Sequence, residues 1–462
     1  MSTESVAPDE AVLRRAVSRA SVTREVDVGE NAIARLPALL GRLGASARIQ
    51  VVADRNTMRA AGDRAVATLQ HAGRPVAPPI VLDETPRVKP RLESALALGE
   101  RCAGTVPIAV GSGVVNDLVK YAAQRAGVPY VSVVTAASMD GYAASGAALL
   151  ERGFKRTVEC APPIGVVADL GIVANAPSRM AAWGYGDLSG KLVAGADWTL
   201  ADALGEDAIA AEPFAVVQDN VAQWLAHVDG IARGERDALR GLVVGLLVSG
   251  FAIQAHGNSR PASGSDHQFA HLWEMEGLSV DGEPVAHGAC VGVGAVAMLA
   301  LYEWFVAEDV AARARECCNV NEASSTSIDD ELAAAFTETA LLDSARVETN
   351  AKQARASQRP ARMRLLAEGW PRLRERLRAR LMPPAALQQR LAACNAPSHP
   401  EALGVSLRKL AADYRRARLI RRRYTLLDCL DDLGWLDRAI DAVFAPGGFW
   451  GRDRAALQDA SA

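Results

Sequence analysis

Short apolar runs rich in β-branched residues punctuate the first third of the chain, at Ile49–Ala53, Pro79–Leu82, Pro107–Val110, Tyr130–Val134 and Ile164–Ala168. A strand with almost no polar position must be covered on both faces, which is the mark of a parallel sheet between helical layers. Between these runs, Thr57–Ala72 and Val114–Ala126 carry apolar residues at helical spacing. Strands therefore alternate with helices, and a parallel α/β domain is predicted. The pattern changes at 172–178. From "ANAPSRMAAWGYGDLSGKLVAGADW" onward no convincing strand occurs, and the periodicity is helical to the end. We therefore expect an α/β domain over residues 1–174 and an all-helical domain over 175–462. The first dozen residues and the closing "LQDASA" are expected to be loosely held.

Length agrees with that division, since 462 residues exceed what one ordinary core organises. Half the residues are apolar and 23% are charged, a globular composition. The net charge of -3 argues against a general nucleic-acid binder. The seven cysteines follow no disulfide or zinc-finger spacing, so a reducing compartment is expected. The polar, acidic N-terminus, without a basic start and apolar run, is not expected to act as a signal peptide. The most apolar stretch, Leu242–Ile253, is too short to span a bilayer and is expected to be a buried helix. A cytoplasmic protein follows. Two basic runs, Arg362–Arg380 and Arg415–Arg423, have leucines at helical spacing and are expected to be solvated helix faces, with anion or partner binding as the alternative.

Histidine placement changes the picture most. Four of the seven histidines lie between 256 and 287: His256, His267, His271 and His287. His267 and His271, four apart in "SGSDHQFAHLWEM", share one face if the segment is helical. Imidazole suits zinc, nickel and iron. A metalloprotease would place Glu after the first histidine, but residue 268 is Gln, so that chemistry lacks its base. A catalytic metal has three protein ligands and an open position, and Asp187 in "GYGDLSGK" is the best carboxylate candidate for the third. On spacing alone, capping of a helix N-terminus is the favoured role for Asp187.

Three strand ends carry further chemistry. "IAVGSGVVNDLVKYAA" runs from a strand through Gly111-Ser112-Gly113 into a helix, a turn that lets backbone approach a phosphate, though tight turns need glycine for their own reasons. "VVTAASMDGYAAS" ends a strand in Thr135 and Ser138 before Asp140-Gly141, where a plain turn is the alternative. Asp54, ending "VVAD", could meet a ribose or cap the next helix.

In this order, the Gly-Ser-Gly turn, "TAASMDGYA", "PPIGVVADLGIVANAP", "GYGDLSGKLVAGADW", "SRPASGSDHQFAH" and "HGACVGVG" resemble the sn-glycerol-1-phosphate dehydrogenase family, particularly its bacterial members. That family sits within the iron-alcohol-dehydrogenase and dehydroquinate-synthase-like superfamily, and the resemblance spans residues 25–330. It implies a Rossmann-like cofactor domain followed by a helical domain, and metal-dependent, NAD- or NADP-linked interconversion of dihydroxyacetone phosphate and sn-glycerol 1-phosphate. It implies metal ligands at Asp187, His267 and His287, with zinc expected and nickel or iron as alternatives. It implies substrate contacts at Asp140, Asp187 and His271, with Asp187 and His271 catalytic. The cofactor positions it implies are Asp54, Gly111, Ser112, Gly113, Val114, Val115, Thr135, Ala136, Ala137 and Ser138. His271 is expected to titrate near neutral pH and relay a proton. A homo-oligomer is expected from such relatives, with neither nucleic acid nor membrane as partner. One departure is visible: where the family has Ser four residues after Asp140, this chain has Ala144 followed by Ser145. The substrate phosphate needs a cationic or amide grip; Arg260 could supply it or could hold its loop by a salt bridge. Rival readings are a dehydrogenase of another polyol such as glycerol, a dehydroquinate-synthase-like lyase, and a non-catalytic binding protein.

Overall fold

The computed structural model describes residues 8–151, 154–318 and 328–452. It divides into two compact units. The first comprises the chain through Leu188, Glu212–Ala262 and Ala393–Ala396; the second comprises Ser189–Ala211, Ser263–Ala392 and the chain from Pro397.

The first unit is built on a six-stranded parallel sheet. Its strands are β1 (Glu25–Gly29), β2 (Arg48–Asp54), β3 (Ile80–Leu82), β4 (Thr105–Gly111), β5 (Val131–Val134) and, after the antiparallel hairpin of β6 (Ala147–Glu151) and β7 (Phe154–Val158), β8 (Gly165–Asp169). Their order across the sheet is β1-β8-β5-β4-β2-β3. Alternation sends neighbouring side chains to opposite faces. Val51, Ala53, Ile108 and Val110 join one core with Leu36, Leu39, Ala65 and Leu69. Val52 and Ala109 join the other with Leu98, Leu118, Val119 and Ala122. Every predicted strand is present. The edge strand β1 went unpredicted because its apolar residues alternate with Glu25 and Asp27, which pair with Arg42 and Arg35.

This topology positions ligands. The helix after β2 packs on one face of the sheet and the Gly113–Ala126 helix after β4 on the other. β2 and β4 are adjacent, with Ala53 opposite Val110. Their carboxyl ends therefore flank the point where the winding reverses, the crevice that binds ligands in open α/β sheets.

The helix Pro8–Arg19 packs on the helix Arg236–His256, so residues 8–12 are held; residues 1–7 and the closing "LQDASA" lie outside the described residues. The apolar stretch 242–253 is buried as expected, but within a 21-residue helix that by length and composition could cross a bilayer, as could His287–Phe305. Their most apolar windows are 83% and 89% buried inside the protein, so both serve as core helices.

The second unit is helical apart from a two-residue pairing of Ser279–Val280 with Glu283–Pro284. The helices Ser265–Met275 and His287–Phe305 pack together, and Leu407–Leu419 packs on the former. Trp273 Nε1 donates to Asp413 Oδ2 at 2.8 Å and Tyr414 Oη donates to the Ala297 carbonyl at 2.8 Å. The C-terminal stretch is thus part of this core. Its basic runs are not simply solvated faces. Arg362 and Arg418 are 6% and 7% exposed. Arg362 pairs with Glu206 and Asp432 at 2.7 and 2.8 Å, and Arg418 with Glu331 and, at 3.0 Å, with Asp431. A cation removed from water needs such partners.

Candidate metal and cofactor site

His267 and His271 fall on the helix Ser265–Met275, and His287 is the first residue of the helix His287–Phe305. The three imidazoles form a triangle with centroid separations of 5.3 Å (267–287), 5.8 Å (271–287) and 6.1 Å (267–271). Asp187 sits mid-helix in Ser178–Ala203, so it caps no N-terminus. One carboxylate oxygen of Asp187 and one ring nitrogen each of His267 and His287 all lie within 4.8 Å of one another. His256, at the end of its helix, is outside this group.

Two carboxylates the sequence reading passed over orient these ligands. Asp266, fully buried, meets His267 Nδ1 at 2.5 Å. Glu274 Oε1 meets His287 Nδ1 at 2.9 Å, while its Oε2 lies 3.6 Å from His271 Nδ1. In both ligand histidines Nδ1 stands against a carboxylate, an arrangement that suits Nε2 to the role of metal donor. Asp187 Oδ2 accepts the Asp140 N–H at 2.8 Å, so the Asp-Gly turn fixes the third ligand. A one-carboxylate, two-imidazole set with its supporting shell in place fits a divalent transition metal. Gly190 makes room for this arrangement: a Cβ there would stand 2.3 Å from Asp266 Oδ2.

His271 departs from expectation. Burial first, then the positive charge of Arg421, pushes its pKa down to about 3, against the opposing pull of Glu274. It is held neutral near pH 7 rather than poised to titrate there, although a quarter of its side chain stays accessible.

The predicted cofactor residues also converge. Gly111 ends β4, and a Cβ on it would meet Val115 Cβ at 2.5 Å, so only glycine lets the chain turn this tightly. The Gly113–Ala126 helix has no side chain capping its N-terminus. Its first N–H groups are left for an anion. Thr135 N–H donates to the Gly111 carbonyl at 3.2 Å. Ser112 and Ser138 hydroxyls meet at 2.9 Å, and Tyr142 joins Ser138 at 2.8 Å while donating to the Ala136 carbonyl at 2.6 Å. Residues 111–115 and 135–138 are thereby one hydroxyl-linked surface. Asp54 spends Oδ1 on capping, accepting from the Asn56 and Thr57 N–H groups at 2.8 and 2.7 Å. Its Oδ2 has no hydrogen-bond partner among the described residues.

Lys120, also unremarked in the sequence, holds the turn between these motifs. Its Nζ is buried and donates to the carbonyls of Gly141, Ala144 and Gly146 at 2.9, 2.9 and 2.8 Å. Ala144 packs with Ile253 and Ala262, and Ser145 is exposed, so its neighbour does not restore the missing buried hydroxyl. Arg260 is buried, with its main-chain N–H donating to Asn258 Oδ1 at 2.9 Å.

Comparison with known proteins agrees with this geometry. Residues 27–177 match the family described as iron-containing alcohol dehydrogenase. The chain is 33% identical over 284 residues to the glycerol-1-phosphate dehydrogenase [NAD(P)+] of Bacillus licheniformis, covering 60% of this chain and 70% of that protein. It is 32% identical over 292 residues to the enzyme of the same name from Methanothermobacter thermautotrophicus, covering 63% and 82%. Among solved structures, the glycerol dehydrogenase of Schizosaccharomyces pombe superposes with a TM-score of 0.58 over 91% of this chain and 90% of its own, at 16% identity, which establishes the shared fold.

Proposed function

The chain belongs to the glycerol-1-phosphate dehydrogenase family, and from that membership we propose that it interconverts dihydroxyacetone phosphate and sn-glycerol 1-phosphate, using NAD or NADP and one divalent metal ion. The observation that carries this reading is the Asp187, His267 and His287 cluster, with a carboxylate behind each imidazole. Asp187, His267 and His287 hold the metal, zinc first and nickel or iron as alternatives. Residues 1–174 bind the nicotinamide cofactor through Asp54, Gly111–Val115 and Thr135–Ser138. Residues 175–462 carry the metal and substrate functions, with Asp140 contributing to substrate from the first segment. The protein works as a cytoplasmic homo-oligomer without nucleic-acid or membrane partners.

When bound, the metal ion supplies Lewis acidity toward the substrate's central oxygen and the nicotinamide gives or takes the hydride. The chain's own part is positioning. Asp266 and Glu274 keep both ligand imidazoles in one tautomer, with the proton on Nδ1. The Asp140 N–H fixes the Asp187 carboxylate. His271, neutral, offers a hydrogen-bonding nitrogen to the substrate without adding charge beside the ligands. The uncapped helix after β4 receives the cofactor's pyrophosphate.

The test is nicotinamide absorbance with dihydroxyacetone phosphate and with dihydroxyacetone, each with NADH and NADPH, before and after chelation. Chelator-sensitive turnover of the phosphorylated ketone alone is expected. Turnover of neither ketone by metal-loaded protein would move the function to another polyol or to the lyase class.

A further inference from the structure

The segment joining the helices Leu407–Leu419 and Leu426–Asp432 reads Ile420-Arg-Arg-Arg-Tyr-Thr425. Its three arginines are used differently. Arg422 is exposed and donates from Nε and Nη2 to Glu348 at 3.0 and 2.9 Å. Arg423 donates to the Ser263 carbonyl, next to the start of the helix that carries His267 and His271. Arg421 is partly buried, yet it forms no hydrogen bond and no ion pair with any described residue.

The segment and the helix before it lie against the helix that carries His267 and His271: Arg423 meets Ser263 just before its start, and Lys409 and Arg416 pair with Glu276 just past its end, at 2.7 and 2.5 Å. The Arg421 charge adds to burial in disfavouring protonation of His271, and the Glu348 and Glu274 carboxylates attract it from beyond hydrogen-bond range. Neither carboxylate is its partner: Glu348 is engaged through both oxygens by Arg422, and Glu274 stands against His287 and His271. Burial weakens the guanidinium's hold on its proton, the state of a cation stripped of water without a full replacement. Its backbone is well fixed. Thr349 Oγ1 donates to the Leu419 carbonyl and Arg355 to the Arg422 carbonyl, both at 2.9 Å, and the Leu426 N–H donates to Asp197 at 3.0 Å. Five planar donors, on a fixed segment packed against the histidine helix and without an acceptor among the described residues, suit a tetrahedral oxyanion better than a neutral hydroxyl.

We propose that Arg421 grips the phosphate of the substrate and so sets the preference for a phosphorylated ketone over its unphosphorylated counterpart. This rests on the functional reading above. It gives one arginine of the run Arg415–Arg423 the anion-binding role that the sequence left as the alternative to a solvated face.

The experiment measures kcat/KM for dihydroxyacetone phosphate and dihydroxyacetone in wild type, Arg421→Ala, Arg421→Lys and, as a neighbouring control, Arg422→Ala. It adds metal content and calorimetric binding of inorganic phosphate to the metal-loaded protein. In Arg421→Ala the phosphorylated-to-unphosphorylated ratio should fall about 100-fold, the scale of an unpaired buried charge contact. Metal content should hold and phosphate binding should be lost. Arg421→Lys should fall between, since it keeps the charge and loses the fork; it also carries the test if the alanine variant does not fold. Arg422→Ala should keep the wild-type ratio. An unchanged ratio in Arg421→Ala overturns the assignment. So does an equal fall on both ketones with loss of metal, which would mean that Arg421 acts only through the histidine centre. If wild type turns over neither ketone, the functional reading fails, and phosphate binding decides about Arg421: binding lost in Arg421→Ala supports a phosphate grip, and equal binding in both proteins overturns it.

Discussion

The strand-end surface around Gly111–Gly146 and the histidine centre are built on opposite principles. The first is made of backbone. Its geometry comes from strand register, from a glycine no other residue can replace and from hydroxyls bonded to one another or to main-chain carbonyls, with the Lys120 ammonium holding its loop from within. The histidine centre is made of charge. Asp187, Asp266 and Glu274 sit against three imidazoles, and each carboxylate has a defined partner. A backbone-built site presents N–H groups without using side chains, which suits a large cofactor bound along its length. A charge-built site concentrates ligands at one point, which suits a cation.

Variants can break that contrast. The largest expected effect is His287→Ala, which should lose bound metal and turnover together, read by elemental analysis and absorbance assay on one preparation. Full turnover by a metal-free His287→Ala protein would end the metal reading. Next comes Glu274→Gln, which keeps shape and removes charge behind His287; metal affinity should weaken by about 10–100-fold, with cofactor binding little altered. The smallest is Lys120→Met. It leaves three carbonyls without their cation and should cost about 3 kcal/mol of stability in denaturant titration, raising the KM for nicotinamide while metal content holds. Metal loss from Lys120→Met as severe as from Glu274→Gln would show that the two regions do not separate as described.

The two regions also differed in how far they could be read from sequence. Central strands announce themselves because both faces are buried, so β2, β4, β5 and β8 appear as continuous apolar runs. The edge strand β1 and the β6–β7 hairpin carry polar residues on an open side and do not. The spacing of His267 and His271 was legible because four residues make one helical turn. Asp266 and Glu274 stand in the same short stretch, but their use depends on ring orientation and on His287 arriving from the next helix. The charge of Arg421 reaches His271 across a sequence separation of 150 positions, a relation no local pattern encodes. The basic runs misled for a related reason: a row of arginines looks solvated until the acids that face it, such as Glu206 and Asp432, are brought in by the fold.

Asp197 has a consequence for the order in which the protein matures. Its fully buried carboxylate accepts from Ser265, Tyr302 and the Leu426 N–H, and burial raises its pKa against those bonds. The last of these donors is 229 positions downstream of the carboxylate. On a ribosome adding about 5–20 residues per second, that separation is a wait of roughly 10–45 s. Once Met275 has been added, the helix that will present His267 and His271 can form, but the anion beneath its first turn still lacks one of its donors. The histidine centre is therefore completed late in synthesis, and a nascent chain stalled before residue 426 would carry every metal ligand without the floor that holds them.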